Sequence, residues 1–457
     1  MADFEILDVR LHGESIGTLT RLGRDRIVFA FDPAYIDDPG RATLSLSFLD
    51  PFGHLVTDIP PTRTRAPPFL SNLLPEGPLR EYLARSAGIE PRREFPLLAA
   101  LGLDLPGAVT VVSLDTGGPS APPDRPTSAR SSARGAGPAA PARLSRAHGP
   151  VDRAGTVHRA AGRRRTPDSV RDPVAALPPP FRFSLPGVQL KLSATIETAG
   201  KMTIPARGVG GSWIVKLPAA AFPGLPEQEH AMMRLAGRVG IDVPETRLVP
   251  VDSIANLPRG MGIAGGEMAL AVRRFDRADD GTPVHVEDFA QVLGAHPEQK
   301  YVKAGYGDIA EVLGTMIGDE ATSEFVRRLV FCTLIGNGDA HLKNWALIYP
   351  DRRTPALAPA YDLVSTVALL DDDAMALDWV DGLGGFNDLT AGVLRHLVSA
   401  ARVPQKPVLD VAWRTVERFV EVWGSSKKRL GVPEGVAKAI DAHWPRLPLV
   451  RERGPGR

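Results

Sequence analysis

Alternation is the first regularity along this chain. Apolar side chains recur at every second position in Ile6-Leu7-Asp8-Val9-Arg10-Leu11 and again in Ile27-Val28-Phe29-Ala30-Phe31. A period of two predicts strands with one buried face, and Gly13 and Gly23 mark turns between them. Phe69 to Ala84 reads as a helix or helix pair, interrupted at Pro75 and Pro78. Short apolar runs at Ser212-Trp213-Ile214-Val215-Lys216-Leu217 and Met268-Ala269-Leu270-Ala271-Val272 predict two further strands, the second ending at Arg273-Arg274-Phe275-Asp276. Between them, Pro226 to Val239 places Ala231, Met232, Leu235 and Val239 on one face of an amphipathic helix. Beyond about 285 the spacing is helical: Val286 to Leu293, Ile309 to Met316, Glu324 to Ile335, Leu389 to Ala401 and Val411 to Trp423, before a basic tail. There are no internal repeats. A strand-rich portion followed by a helical one predicts two lobes with a cleft between them.

The pattern lapses from about 117 to 180. Pro, Ala, Ser, Gly and Arg dominate there, as in Ala121-Pro122-Pro123 and Gly162-Arg163-Arg164-Arg165, and large apolar residues nearly vanish. Such a stretch buries too little surface to offset the ordering of its backbone, which predicts a disordered linker. A shifted reading frame in a GC-rich gene would leave the same composition, and the sequence does not separate the two. Its arginines are a poor case for nucleic-acid binding, because aromatic residues are absent and proline is frequent. The chain therefore divides into an α+β unit over 1–116, the linker over 117–180, a strand-bearing lobe over 181–276 and a helical lobe over 277–457.

Composition adds limits. With 457 residues, 43% hydrophobic and 23% charged, the chain is of ordinary globular type and long enough for two or three domains. A formal net charge of +1 gives no whole-chain reason to expect a nucleic-acid or membrane surface as partner. The single cysteine, Cys332, excludes an intramolecular disulfide and sits among Leu329, Val330, Phe331, Leu334 and Ile335, as a buried helical residue would. The acidic start, Met1-Ala2-Asp3-Phe4-Glu5, lacks a signal-peptide pattern, and no apolar run approaches the ~20 residues that span a bilayer. A cytoplasmic protein is expected.

The chemistry concentrates in Gly336-Asn337-Gly338-Asp339-Ala340-His341-Leu342-Lys343-Asn344 and, later, Ala360-Tyr361-Asp362-Leu363. Phosphoryl transfer from ATP needs one carboxylate to accept the proton of the attacking hydroxyl. It also needs oxygen ligands for the metal ions that neutralise the phosphates. Protein kinases have the same Asp-to-Asn spacing in their catalytic loop and a later Asp for magnesium. Asp339 is thus the candidate base, with Asn344 and Asp362 as hard oxygen donors for Mg2+. Asn-Gly-Asp alone would be an ordinary turn; the two added ligands shift the balance. Lys216 follows an apolar strand, where a kinase lysine meets nucleotide phosphates and pairs with a helix glutamate, Glu229 being preferred to Glu227. Taken singly, a strand-edge lysine reaching water and a glutamate at a helix start would explain both. Ser184-Leu185-Pro186-Gly187-Val188-Gln189-Leu190-Lys191 would be the phosphate-covering loop, although locally it is a plain turn. No His/Cys cluster has zinc spacing, and a Gly-x-Ser-x-Gly elbow is absent.

Together these segments resemble the HipA family, the serine/threonine kinase toxins of type II HipBA toxin–antitoxin modules. In the N-terminal part the likeness rests on Gly17-Thr18-Leu19, Leu44-Ser45-Leu46-Ser47, Asn72-Leu73-Leu74-Pro75-Glu76 and Gly107-Ala108-Val109-Thr110. In the kinase part it rests on Ser184-x-x-Gly187-Val188-Gln189-x-Lys191, Ile214-Val215-Lys216, Arg274-Phe275-Asp276-Arg277, Asn337-Gly338-Asp339-x-His341-x-Lys343-Asn344 and Tyr361-Asp362-Leu363. The resemblance implies an α+β, bilobed protein-kinase-like fold with an N-terminal α+β subdomain and a mainly helical C-terminal lobe. It implies Asp339 as catalytic base and Asn344 and Asp362 as magnesium ligands. ATP would meet Gly187, Val188, Gln189, Lys191, Lys216, Glu229, His341, Lys343 and Tyr361, with Arg273, Arg274 and Phe275 along the adenine hinge. It also implies self-inactivation by phosphorylation of Ser184, an aminoacyl-tRNA synthetase as target, and a HipB-type helix-turn-helix antitoxin through which DNA is bound indirectly. A catalytically weak binding partner in an antitoxin–operator complex is the alternative, and a small-molecule acceptor is a third.

Overall fold

A computed structural model describes residues 5–114, 190–196, 201–205, 210–219, 221–257, 266–370 and 373–453. The expectations placed on 117–180 and on Ser184, Gly187, Val188 and Gln189 lie outside the described residues.

The first sheet holds β1 (Glu5–Leu11), β2 (Glu14–Leu22), β3 (Arg26–Phe31), β4 (Thr62–Arg63) and β5 (Val109–Ser113), in the antiparallel order β4-β3-β2-β1-β5. The alternation seen in sequence is its pleat: Leu7, Val9, Leu11, Ile27 and Phe29 are buried. Helices Pro33–Asp37, Pro68–Ser71, Gly77–Ala87 and Glu94–Leu101 also belong to this subdomain. Pro68–Ser71 and Gly77–Ala87 are the predicted helix pair, parted by the Asn72–Glu76 turn. Glu94–Leu101 carries no amphipathic signal because Phe95, Leu97, Leu98, Ala100 and Leu101 are all buried.

The second sheet holds β6 (Lys191–Ile196), β7 (Met202–Thr203), β8 (Trp213–Lys216), β9 (Thr246–Pro250) and β10 (Met268–Arg273), in the order β7-β6-β8-β10-β9. Its two faces do different jobs. Leu192, Ala194, Trp213, Val215, Ala269 and Ala271 share one hydrophobic core with the N-terminal subdomain. On the other face Lys191, Ile214, Lys216 and Val272 turn to a cavity. A strand period of two is what sends alternate side chains to core and cleft.

The helical lobe has a separate core, joined by the Leu225–Val239 helix and built on Tyr306–Met316, Asp319–Ile335, Ala391–Ala400 and Gln405–Ser426. Cys332 is buried in the third of these five helices, where burial raises its thiol to about 12. Two expectations are corrected here. Val286–Leu293 is not one helix: β11 (His285–Asp288) pairs with β12 (Ala346–Tyr349), and a single turn, Phe289–Val292, follows. Asp288 ends the strand by accepting from the Gln291 N–H, while the Gln291 side chain accepts from the Asp288 N–H. The basic tail contains helices Glu434–His443 and Pro448–Arg453, seated through Val436, Ile440, Leu447 and Leu449. Among the described residues, no helix is long and apolar enough to cross a membrane.

Candidate active site

The catalytic loop starts where the Asp319–Ile335 helix must stop. Gly336 takes a left-handed φ of 65°, and the N–H groups of Gly336 and Asn337 reach back to the Thr333 and Cys332 carbonyls. A Cβ at Gly336 would come within 2.4 Å of Val367, so the position suits glycine twice over. The loop is then braced from within. The Asn337 carboxamide accepts from the Asp339 N–H at 3.1 Å, and Asn344 Nδ2 donates to the Asp339 carbonyl at 2.6 Å. The Trp345 indole and Tyr306 hydroxyl both donate to the Ala340 carbonyl. These bonds fix the half-buried Asp339 and leave its carboxylate facing a cavity of about 770 Å³. Burial, with repulsion from Asp362, raises its pKa against the pull of Tyr301.

Asp362 lines the same cavity from the following segment. Its φ of 54° is unusual for a residue with a Cβ and marks backbone held against its preference. Lys216, at the end of β8, bonds Asp362 on one side and pairs with Glu229 at 2.5 Å on the other. Lys191 lies opposite Lys216 in the β6–β8 ladder, and its ammonium stands 3.5 Å from Asp362. Burial alone would raise the Asp362 carboxyl; the two lysines outweigh it and hold the group far below the usual carboxylate range. Lys216 is held up by the same pairings against the effect of burial, whereas Lys191 is pushed down because burial wins there.

Asp339, Asn344 and Asp362 therefore meet in one cavity, with Lys191, Lys216 and Glu229 beside them. The donor set fits a hard cation that keeps some of its own ligands. Among the described residues no group of three or more His, Cys, Asp or Glu could hold a metal alone. An Asp and an Asn leave coordination positions for water and phosphate oxygens, as Mg2+ prefers. Ile214, Val272 and Phe275 give the apolar wall that a nucleobase needs, and Phe275 lies 5.7 Å from the Tyr361 ring.

Arg273, Arg274, His341 and Lys343 also line this cavity, and each has further partners. Arg274 is wholly buried and donates to Asp276 at 2.8 Å and to Asp104 at 3.2 Å, so only its backbone fronts the cavity. Arg273 is exposed and pairs with Asp279. Lys343 turns to the N-terminal subdomain, where its ammonium donates to the Asn72 carbonyl and side-chain oxygen at 3.0 Å and lies 2.9 Å from Glu76. Glu76 also meets Lys300 at 2.9 Å, and the two lysines outweigh burial to hold its carboxyl down at about 2. His341 packs edge-on to Tyr301, with ring centroids 5.0 Å apart; burial first, then Lys300, pushes its pKa to about 3 and keeps it neutral.

Sequence reasoning did not find Tyr301, whose hydroxyl donates to Asp339 Oδ1 at 2.8 Å. In the sequence Asn72 and Glu76 stand only within a family hallmark, and Lys300 and Asp288 within no motif. No local pattern announces these residues, since their partners are 38 to 271 positions away.

The two lobes, the strand-lysine–helix-glutamate pair and the Asp–Asn loop facing a second Asp define a protein-kinase-like fold. Comparison with known proteins agrees. The HipA-like C-terminal domain matches residues 183–423, and the HipA N-terminal domain matches residues 7–112. A Sinorhizobium fredii protein named "Putative kinase Y4dM" is 48% identical over 455 residues, covering 99% of both chains. The serine/threonine-protein kinase toxin HipA of Shewanella oneidensis is 27% identical over 378 residues, covering 74% of this chain and 75% of its own. A solved complex of Shewanella oneidensis HipA, HipB and operator DNA aligns over 97% of this chain and 96% of that one, with a TM-score of 0.64 and 21% identity. The chain belongs to the HipA family of kinases.

Proposed function

We propose that this kinase is an ATP- and Mg2+-dependent serine/threonine protein kinase acting as the toxin of a toxin–antitoxin pair. The observation that carries the reading is the position of Lys216, joined to Glu229 behind it and Asp362 in front, with Asp339 and Asn344 across the same cavity. A pure binding scaffold has no need for all five.

ATP held by Mg2+ supplies the transferable phosphoryl group and the leaving ADP. Asp362 and the Asn344 side-chain oxygen would hold the cation, and Lys216 and Lys191 would bind phosphate oxygens. Phe275 and Ile214 would enclose the base. Asp339 receives the proton of the attacking hydroxyl at its carboxylate, and its raised pKa brings it nearer to the working pH of a base. Glu229 keeps Lys216 on its strand-end position.

The acceptor would be a serine or threonine of a translation enzyme, an aminoacyl-tRNA synthetase in keeping with the resemblance. Phosphorylation of Ser184 would add about −2 charge beside a site built for phosphate and switch the enzyme off. A HipB-type helix-turn-helix antitoxin is the expected partner, by analogy with the Shewanella complex, with DNA bound through it. Wild type and Asp339→Ala, incubated with labelled ATP, magnesium and cell lysate, test the reading. Label on Ser184 and on one synthetase, absent with the variant, supports it. Antitoxin and operator binding with no transfer of label refutes it in favour of a scaffold.

A further inference from the structure

Tyr301 stands where a substrate should. Its hydroxyl donates to Asp339 Oδ1, the atom assigned to receive the acceptor's proton, at 2.8 Å. An attacking alcohol needs this same hydrogen bond. Tyr301 is also placed to give it up. Its neighbour Lys300 is anchored at both ends, by Glu76 through the ammonium and by the Leu342 N–H through the carbonyl. On the other side Val302 is 81% exposed, and Tyr301 itself, which lines the cavity, is 45% exposed. The ring touches His341 by its edge and has the Lys300 ammonium 5.4 Å from its centroid, and among the described residues Tyr301 belongs to neither hydrophobic core.

We infer that the Tyr301 hydroxyl is a placeholder for the acceptor alcohol, capping Asp339 until a protein substrate displaces it. This rests on the kinase reading above and adds a specificity function to it. Water is the commonest wrong acceptor: its oxygen would bond to the γ-phosphorus, the bridging P–O bond to ADP would break, and the water proton would pass to Asp339. A hydroxyl already seated on Oδ1 denies water that position. A bulky acceptor loop, held by contacts outside the site, can push the ring aside where a single water cannot. Tyr301 is then a positioning residue that favours protein acceptors over solvent.

The test uses the full chain and the variant Tyr301→Phe, which keeps the ring against His341 and removes the oxygen. Acceptor-free ATP hydrolysis should rise about ten-fold, the worth of one hydrogen bond to a charged group. The gain should vanish in the double variant with Asp339→Asn. In the nucleotide-free protein, carbodiimide labelling of Asp339, read by mass spectrometry, should rise several-fold. Hydrolysis that falls or stays level, with unchanged melting and nucleotide binding, would overturn the inference and leave Tyr301 a brace for Asp339. Phosphate found on Tyr301 of the wild type would also overturn it, making the hydroxyl an acceptor in its own right. If calorimetry detects no ATP binding to either protein, the kinase reading fails, and the labelling alone decides whether Tyr301 shields the carboxylate.

Discussion

Two clusters of buried ions among the described residues are not spent alike. At the seam between the N-terminal subdomain and the kinase lobes, Arg274 and Arg277 meet Asp104 and Asp276, and Lys343 and Lys300 meet Glu76. Each ion there has at least one oppositely charged partner, and the Gly107 N–H adds a further bond to Asp276. Around the cavity, Lys191, Lys216, Glu229 and Asp362 are also paired, yet Asp362 sits on strained backbone and Asp339 faces the cavity with the Tyr301 hydroxyl on one of its oxygens. A saturated cluster resists change and holds surfaces together. A cluster with faces left open, maintained at the expense of backbone strain, is arranged for something that arrives later.

The sharpest way to break this comparison is Asp339→Asn. The substitution keeps shape and the internal loop bonds but removes the proton acceptor, so phosphoryl transfer should fall ~10²–10⁴-fold. Melting temperature should move little, because Asp339 has an open face. A large loss of stability would place it with the structural ions instead.

Arg274→Met strikes the seam. It leaves the buried carboxylates of Asp104 and Asp276 with Arg277 as their cation, and removing one partner of a buried network costs about 3–5 kcal/mol. Urea denaturation should show that loss. Nucleotide affinity of the folded fraction should hold, since the Arg274 guanidinium does not face the cavity. A variant with normal stability and weakened ATP binding would show that the Arg274 guanidinium itself serves the nucleotide.

The difference between the clusters also decides how much could be read beforehand. The strand alternation at Ile6–Leu11 and the helix over Pro226–Val239 were legible because burial follows a short local period. Asp339, Asn344, Asp362 and Lys216 were legible because their chemistry imposes fixed residue types at recurrent spacings. The second partners of Lys343 and Arg274 were not legible: both line the cavity from inside those motifs, but their charges also meet Glu76, Asn72 and Asp104, more than 160 residues away. The Val286–Leu293 segment misled for a related reason. Its apolar residues satisfy a helical count, but pairing with β12 and the Asp288 cap, both set by the fold, win over local propensity.

Glu287 gives a smaller effect with a definite sign. It is buried at the seam and accepts from Ser45, the Leu46 N–H and Tyr349, yet no cation accompanies it among those bonds. Burial outweighs them and raises its carboxyl from 4.5 to about 7. The folded protein therefore holds a proton there that the unfolded chain releases between those values. Its stabilising effect is complete below pH 4.5 and lost as pH rises through 7, a swing of about 3 kcal/mol. Glu287→Gln, which keeps an acceptor and adds a donor that Ser45 can receive, should flatten this slope and raise stability above pH 7. Melting curves from pH 4.5 to 8 would check it; an unchanged slope would mean that another seam group titrates.

The smallest expected effect comes from an ion pair across the same two parts of the chain, Arg65 with Glu298 at 3.0 Å. Both side chains are about half exposed, so water screens the attraction and holding two long side chains costs entropy. Glu298→Gln should cost less than about 1 kcal/mol, and 0.5 M salt should erase the difference from wild type. Arg274→Met should stay destabilised in that salt, because ions in solution do not reach its carboxylates. If the two variants respond to salt alike, burial is not what separates the seam's charges from those on the surface, and the contrast between sealed and open clusters loses its physical basis.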